Sequence, residues 1–133
     1  MLLVETYIAH SPGKGIGLFS RVAIQKGTIY WVRNEIFDKI ISPEQINTFT
    51  ELAANYIFMH GFKEISGNWY LCSDNARFSN HSKNPNSLNH FDLAGLIEYS
   101  YAAKDIASNE EILCDYTNTC QTCINGVPFD DTE

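Results

Sequence analysis

Three glycines in five positions, Gly13, Gly15 and Gly17, interrupt the chain before it has run twenty residues. Glycine adopts backbone angles that other residues avoid, so SPGKGIG reads as a turn between two strands. Short apolar segments separated by turn signals then continue along the chain. Residues 2–9 alternate loosely and read as strand. Residues 18–23 and 28–32 predict two more short strands about the tight turn Gln25-Lys26-Gly27, and together a β-hairpin. Trp69-Tyr70-Leu71 predicts another short strand. The alternating Tyr, Ile and Ala residues of 93–104 predict a strand, followed by a turn at 105–110 and a last strand at 111–116. Helical spacing shows clearly in one place, where Ser42 reads as an N-cap before Pro43, with Ile46, Phe49, Leu52 and Ala53 behind it. The Asn-, Ser- and Pro-rich stretch 80–89 predicts irregular structure. The expected fold class is mainly β with few short helices.

At 133 residues the chain fits one domain, and 44% hydrophobic with 13% aromatic content supplies a real core. No apolar run reaches the roughly 18 residues of a membrane span. MLLVETYIAHSPGKG has no basic segment ahead of an apolar one, so it does not read as a secretory signal, and the expected setting is soluble and intracellular. The formal net charge is -7 and the nine Lys and Arg residues are scattered, which argues against direct nucleic-acid binding. Acidity favours a basic partner through electrostatic steering, although plain solubility explains it equally well. Without an export signal, Cys72, Cys114, Cys120 and Cys123 read as free thiols or a metal site rather than disulfides.

Three motifs stand apart from this framework. Gly15-Ile16-Gly17 is a weak signal alone; it lacks the third glycine of a dinucleotide fingerprint and the closing G-K-[ST] of a P-loop. Arg77-Phe78-Ser79-Asn80-His81-Ser82-Lys83-Asn84-Pro85-Asn86 reads by itself as an Asx-rich loop with a satisfied histidine. His81 has no carboxylate or nucleophile at a telling spacing that would make it a base. Glu110-Glu111-Ile112-Leu113-Cys114-Asp115-Tyr116 alone is a strand after an acidic turn.

Taken in order, G-x-G, R-F-x-N-H-S-x-x-P-N and E-E-[IL]-x-x-D-Y resemble the SET-domain family of protein-lysine methyltransferases, over roughly positions 3 to 118. The resemblance implies a SET domain at 1–118, a β-clip-like fold of several small sheets with a knot-like C-terminal crossing, and a short tail at 119–133. It also implies S-adenosylmethionine as cofactor, held by Lys14, Gly15, Ile16 and Gly17 and by Asn80 and His81, with Arg77 and Phe78 lining or supporting the pocket. Tyr116 would be the catalytic tyrosine. Cys114, Asp115, Tyr56, Tyr70 and Tyr101 are candidates for the lysine channel, as is Tyr99; for each of these four tyrosines core packing is the alternative. The implied partner is a lysine-bearing basic protein, a histone or another. The rival reading is a SET-like module that binds a basic peptide without catalysis.

Two departures from the family matter. Cys114 stands two positions before the tyrosine, where many members carry Phe or Tyr, and the smaller side chain implies room for di- or trimethylation. Lys83 follows N-H-S where zinc-bearing members have cysteine, and Cys120-x-x-Cys123 offers only two of four ligands, so no metal is expected. The tail, through Val127 and Phe129, or a homodimer would then close the lysine channel.

Overall fold

The computed structural model describes residues 1–118; the tail, with Cys120, Cys123, Val127 and Phe129, lies outside the described residues. Among the described residues, four small sheets make up the fold. Strands β1 (Thr6–Ser11) and β2 (Gly15–Ser20) form the first hairpin, antiparallel from Thr6–Ser20 to Ser11–Gly15. Its turn has Gly13 and Gly15 at φ of 77° and 78°, the left-handed region that favours glycine. Leu2 does not extend β1 and instead bridges Trp31.

The hairpin expected about Gln25-Lys26-Gly27 does not form. Strand β3 (Ile29–Val32) pairs with a much later strand. Ile24 and Ile106 exchange both backbone hydrogen bonds at 2.8 Å, the Gly27 N–H donates to Ala102 O, and the Lys26 N–H donates to Asp105 Oδ1. Joining the two distant turns buries Ile24, Ala102 and Ile106 together. That shared burial sets the pairing, and a turn signal cannot carry it.

Strand β4 (Lys39–Ile41) leads into two helices where the sequence pattern implied one. The first, α1 (Pro43–Ile46), starts with Ser42 and Gln45 in a reciprocal capping box. Thr50 then caps α2 (Glu51–His60) by accepting from the Ala53 N–H, which restarts the helix. Strands β5 (Phe62–Lys63) and β6 (Trp69–Leu71) complete a sheet ordered β4-β6-β5. Trp69 points from β6 to a cluster with Ile41, Ile46 and Ile57 that fastens the helices. Tyr70, next along, points oppositely into the main core of Leu18, Trp31, Ile97 and Ile112.

Stretch 80–89 is more ordered than its composition implied. A 3-10 turn at Asn75–Phe78 precedes β7 (Asn80–His81), and β8 (Ser87–Phe91) follows an irregular 82–86. Asp92 caps the next turn by accepting from the Ala94 and Leu96 N–H groups, so β9 spans Ile97–Ala102 rather than starting at 93. The order β3-β9-β8 gives the second three-stranded sheet. The last strand, β10 (Leu113–Cys114), pairs parallel with β7 and ends in a 3-10 turn at Tyr116–Asn118. That pairing is a local contact and does not by itself define a threaded crossing. Among the described residues, no helix is long and apolar enough to cross a membrane.

Candidate active site

Pairing of β7 with β10 sets Asn80 beside Leu113 and His81 beside Cys114, so the second and third sequence motifs share one edge. Polar side chains reinforce the join where the backbone has no strand partner. Asn86 donates through Nδ2 to Glu111 O at 2.8 Å and accepts the Leu113 N–H at 2.8 Å, while Ser87 Oγ donates to Leu113 O at 2.9 Å. The abundance of Asn and Ser in this stretch thus serves to clasp the last strand. The glycine turn reaches the same place. Lys14 Nζ donates to His81 O at 2.7 Å, and Asn80 Nδ2 donates to Ile16 O at 3.0 Å.

One carboxylate ties all three motifs together, and the sequence reading did not single it out. Glu111 Oε2 accepts from Ser11 Oγ at 2.9 Å, at the start of the glycine turn, and Oε1 accepts from Asn80 Nδ2 at 3.3 Å. Gly17 has no positive φ; its reason is space. A Cβ at Gly17 would overlap Glu111 Oε1 and stand 2.9 Å from Cδ and 3.0 Å from Ser11 Cβ. The signal available in the sequence was only an acidic residue shortly before the tyrosine; that it stands against Gly17 is a finding of the structure.

Tyr116 sits at the focus of these contacts. Its backbone N–H donates to His81 Nδ1 at 3.1 Å, its hydroxyl donates to Ser79 O at 2.6 Å, and the two rings lie 5.4 Å apart. Because Nδ1 accepts that bond, a neutral His81 carries its proton on Nε2. Asp115 is also 3.8 Å from Nδ1, but the shorter, directional bond from Tyr116 governs the ring's orientation. Cys114 Sγ lies 3.6 Å from Asn80 O, which places the thiol at the joined edge. Asp115 turns to the following 3-10 turn, where Oδ1 accepts from the Thr117 N–H and Oγ1.

A family model for the SET domain matches residues 15–117, most of the chain. The chain belongs to the SET-domain family. Members of this family are generally protein-lysine methyltransferases. Among solved structures, the SET domain here is similar to the crystal structure of a Plasmodium falciparum putative histone methyltransferase. The two share 22% identity at a TM-score of 0.57, over 86% of this chain and 95% of the other, a likeness of fold. No curated protein matches the sequence.

Other residues expected at the SET-domain site are dispersed by the structure. Arg77 and Phe78 lie just before Asn80 but reach towards α2. Arg77 donates to Tyr56 OH at 2.7 Å and to Cys72 O at 3.0 Å, and the Phe78 ring meets His60 at 5.3 Å. They brace the β7 segment against the helix, and Tyr56 is part of that brace. Burial, together with the Arg77 charge, holds the His60 imidazole below its usual pKa. Tyr70 is fully buried; its hydroxyl donates to the carboxylate of Asp38, and burial followed by that bond pushes its pKa up. It therefore packs the core and presents no surface to a channel. Tyr99 and Tyr101 stand half-buried on β9, with Tyr99 stacked on His90 at 4.6 Å. Tyr30 was not among the sequence candidates; it is buried, and desolvation raises its pKa.

Proposed function

We propose that this SET domain is a protein-lysine N-methyltransferase, moving a methyl group from S-adenosylmethionine to a lysine amine on a basic protein, a histone or another. The observation that carries the reading is the meeting of Tyr116, the Asn80–His81 strand and the Lys14–Gly17 turn through direct hydrogen bonds. The donor set suits a cationic methyl donor. Carbonyls of Ile16, Ser79 and His81 and the Asn80 amide converge there, and the one ammonium among them, Lys14, rests on the His81 carbonyl. Lys14, Gly15, Ile16, Gly17, Asn80 and His81 would hold the cofactor, with Arg77 and Phe78 supporting from behind.

Bound there, the cofactor supplies an electrophilic methyl on a sulfonium, which is already a good leaving group. The chain's own task is alignment, since in-line displacement needs donor and acceptor held near attack distance. The lysine must arrive neutral; desolvation and the adjacent sulfonium both lower its pKa, so a dedicated strong base is not required. Tyr116 orients the amine through its phenol oxygen, and the hydrogen bond from its hydroxyl to Ser79 O fixes that oxygen's direction. Methyl transfer to the neutral amine would leave a proton on the methylated nitrogen, and water at the partly buried Tyr116 site would accept it. Partner closure of the lysine channel by a second copy belongs to this reading, as does a soluble intracellular setting without direct nucleic-acid contact.

The test is methyl transfer from radiolabelled S-adenosylmethionine to a histone mixture and to whole-cell lysate, with cofactor affinity measured by calorimetry. Labelling of a protein band supports the enzyme. Cofactor binding without transfer to any protein would favour a non-catalytic binding module, and absence of both would overturn the proposal. Product mass carries a second expectation. With Cys114 where a larger ring would narrow the channel, di- or trimethyl-lysine should accumulate at long reaction times, and Cys114→Phe should shift the product to monomethyl-lysine. Wild-type protein that stops at one methyl would sink the idea.

A further inference from the structure

Away from Tyr116, three turns meet side by side. The Arg33 N–H donates to Glu98 O at 2.9 Å, joining residues 33–37 to the start of β9. Its guanidinium grips Glu64 through two bonds of 2.7 and 2.8 Å and reaches Glu35 at 3.0 Å, joining the β5–β6 turn. Ile65 of that turn lies over Gly95 of the β8–β9 turn, with Cγ2 3.3 Å from where a Cβ would stand. Each turn raises an aliphatic side chain into solvent: Ile36 is 98% exposed, Ile65 65%, and Leu93 completely. Single exposed apolar residues are ordinary, but three on turns held together by these contacts put apolar side chains on one part of the surface, an arrangement that suits an interaction site.

The accessible charge around the patch is acidic. The Glu35 and Glu98 side chains are each more than half exposed, and Asp92 is exposed as well. His90 Nε2 lies 3.7 Å from Glu98. Arg33 is nearly buried and saturated by its two carboxylates. Nearby lysines face the other way: Lys39 and Lys63 pair across β6 with Leu71 and Trp69, on the sheet face opposite Tyr70, whose ring Arg33 covers at 4.6 Å. An acidic rim about an apolar centre complements a basic segment that offers one large apolar side chain.

We propose that Ile36, Ile65 and Leu93, rimmed by Glu35, Asp92 and Glu98, dock a basic segment of the protein substrate at a second point away from Tyr116. The role as a substrate dock rests on the methyltransferase reading; the docking itself does not. The probe is a fluorescent Lys- and Arg-rich 20-residue peptide with one central Leu, beside its Leu→Ser counterpart. Binding is read by anisotropy, and methyl transfer to the same peptide is followed in parallel. Because Ile36 and Leu93 touch solvent almost entirely, Ile36→Ser with Leu93→Ser will leave the fold intact. That pair should weaken peptide binding about tenfold. Glu35→Lys with Glu98→Lys should weaken it comparably and remove its salt dependence. The Leu→Ser peptide should bind the wild type as poorly as the Leu peptide binds the serine variant. Wild-type binding that is absent, or unchanged by both pairs, overturns the proposal even if methyl transfer proceeds. Binding lost in the variants with no methyl transfer to any substrate keeps the dock and overturns the enzyme reading. Concentration-dependent self-association in sedimentation, abolished by the serine pair, would assign the patch to a second copy and overturn the peptide dock.

Discussion

Tyr116→Phe will lower methyl transfer by on the order of 100-fold while leaving cofactor affinity within about twofold of wild type. The substitution removes one oxygen and little else. The ring keeps its contact with His81, and the backbone N–H that bonds His81 Nδ1 is untouched. Ser79 O loses its donor, but the site is only partly buried, so water can take the vacant place. The structural cost is therefore about 1 kcal/mol at most, the net worth of one neutral hydrogen bond. On the proposed reading, what disappears is the atom that would direct the lysine nitrogen at the methyl group, and alignment is most of what a protein supplies in such a displacement. The loss should fall on kcat, with the KM for S-adenosylmethionine little changed. A fall in melting temperature that accounts for the lost activity would make Tyr116 a packing residue, and unchanged turnover would remove it from the reaction.

The fold class was legible in the sequence, as a mainly β chain with few short helices arranged in small sheets. Lys14, Asn80, His81 and Tyr116 were legible as a set through the resemblance of three ordered motifs to the SET-domain family, and the structure joins those segments by hydrogen bonds. Trp69–Leu71 was legible because three large apolar residues in a row have few other uses. Pairing partners were not legible. The 25–27 turn looks like a hairpin locally, yet its partner is a turn 80 residues on, selected by burial of Ile24 with Ile106. The helical pattern after Ser42 looked continuous because Ile46, Phe49, Leu52 and Ala53 keep the spacing, whereas the Thr50 cap breaks it. Leu52 is 84% exposed, so the apolar period there did not report a buried face. Tyr70 failed as a channel candidate for a related reason: a tyrosine beside a buried Asp can satisfy its hydroxyl inside the core, and it is the fold that brings Asp38, 32 residues earlier, beside it. Arg77 and Phe78 belong to the most specific motif and still turn away to α2, because they sit in the 3-10 turn Asn75–Phe78 while the extended strand begins only at Asn80.

Gly17→Ala tests whether the three motifs act as one unit. Gly17 has ordinary backbone angles, so alanine brings no conformational strain, and the atom it would strike first is the far end of the Glu111 side chain. That end can swing away, so the protein should stay folded, but the carboxylate must leave its place between Ser11 Oγ and Asn80 Nδ2. Losing a hydrogen bond to a charged group costs about 1.5–3 kcal/mol where the partner stays in need of it. Cofactor affinity should therefore fall between about tenfold and 100-fold, provided Asn80 must be held for binding. Glu111→Ala removes the same carboxylate without crowding the turn and should produce a loss of similar size. The double variant should then be little worse than either alone, since groups sharing one interaction are not additive. Glu111→Gln keeps the shape and one acceptor, so it should fall between wild type and alanine. Calorimetric titration with S-adenosylmethionine, beside thermal melts of all four variants, separates the alternatives. Additive losses would mean that Gly17 and Glu111 serve the site independently. A collapse in melting temperature for Gly17→Ala would show that the clash is borne by Ser11 Cβ and the backbone, and not relieved by the carboxylate.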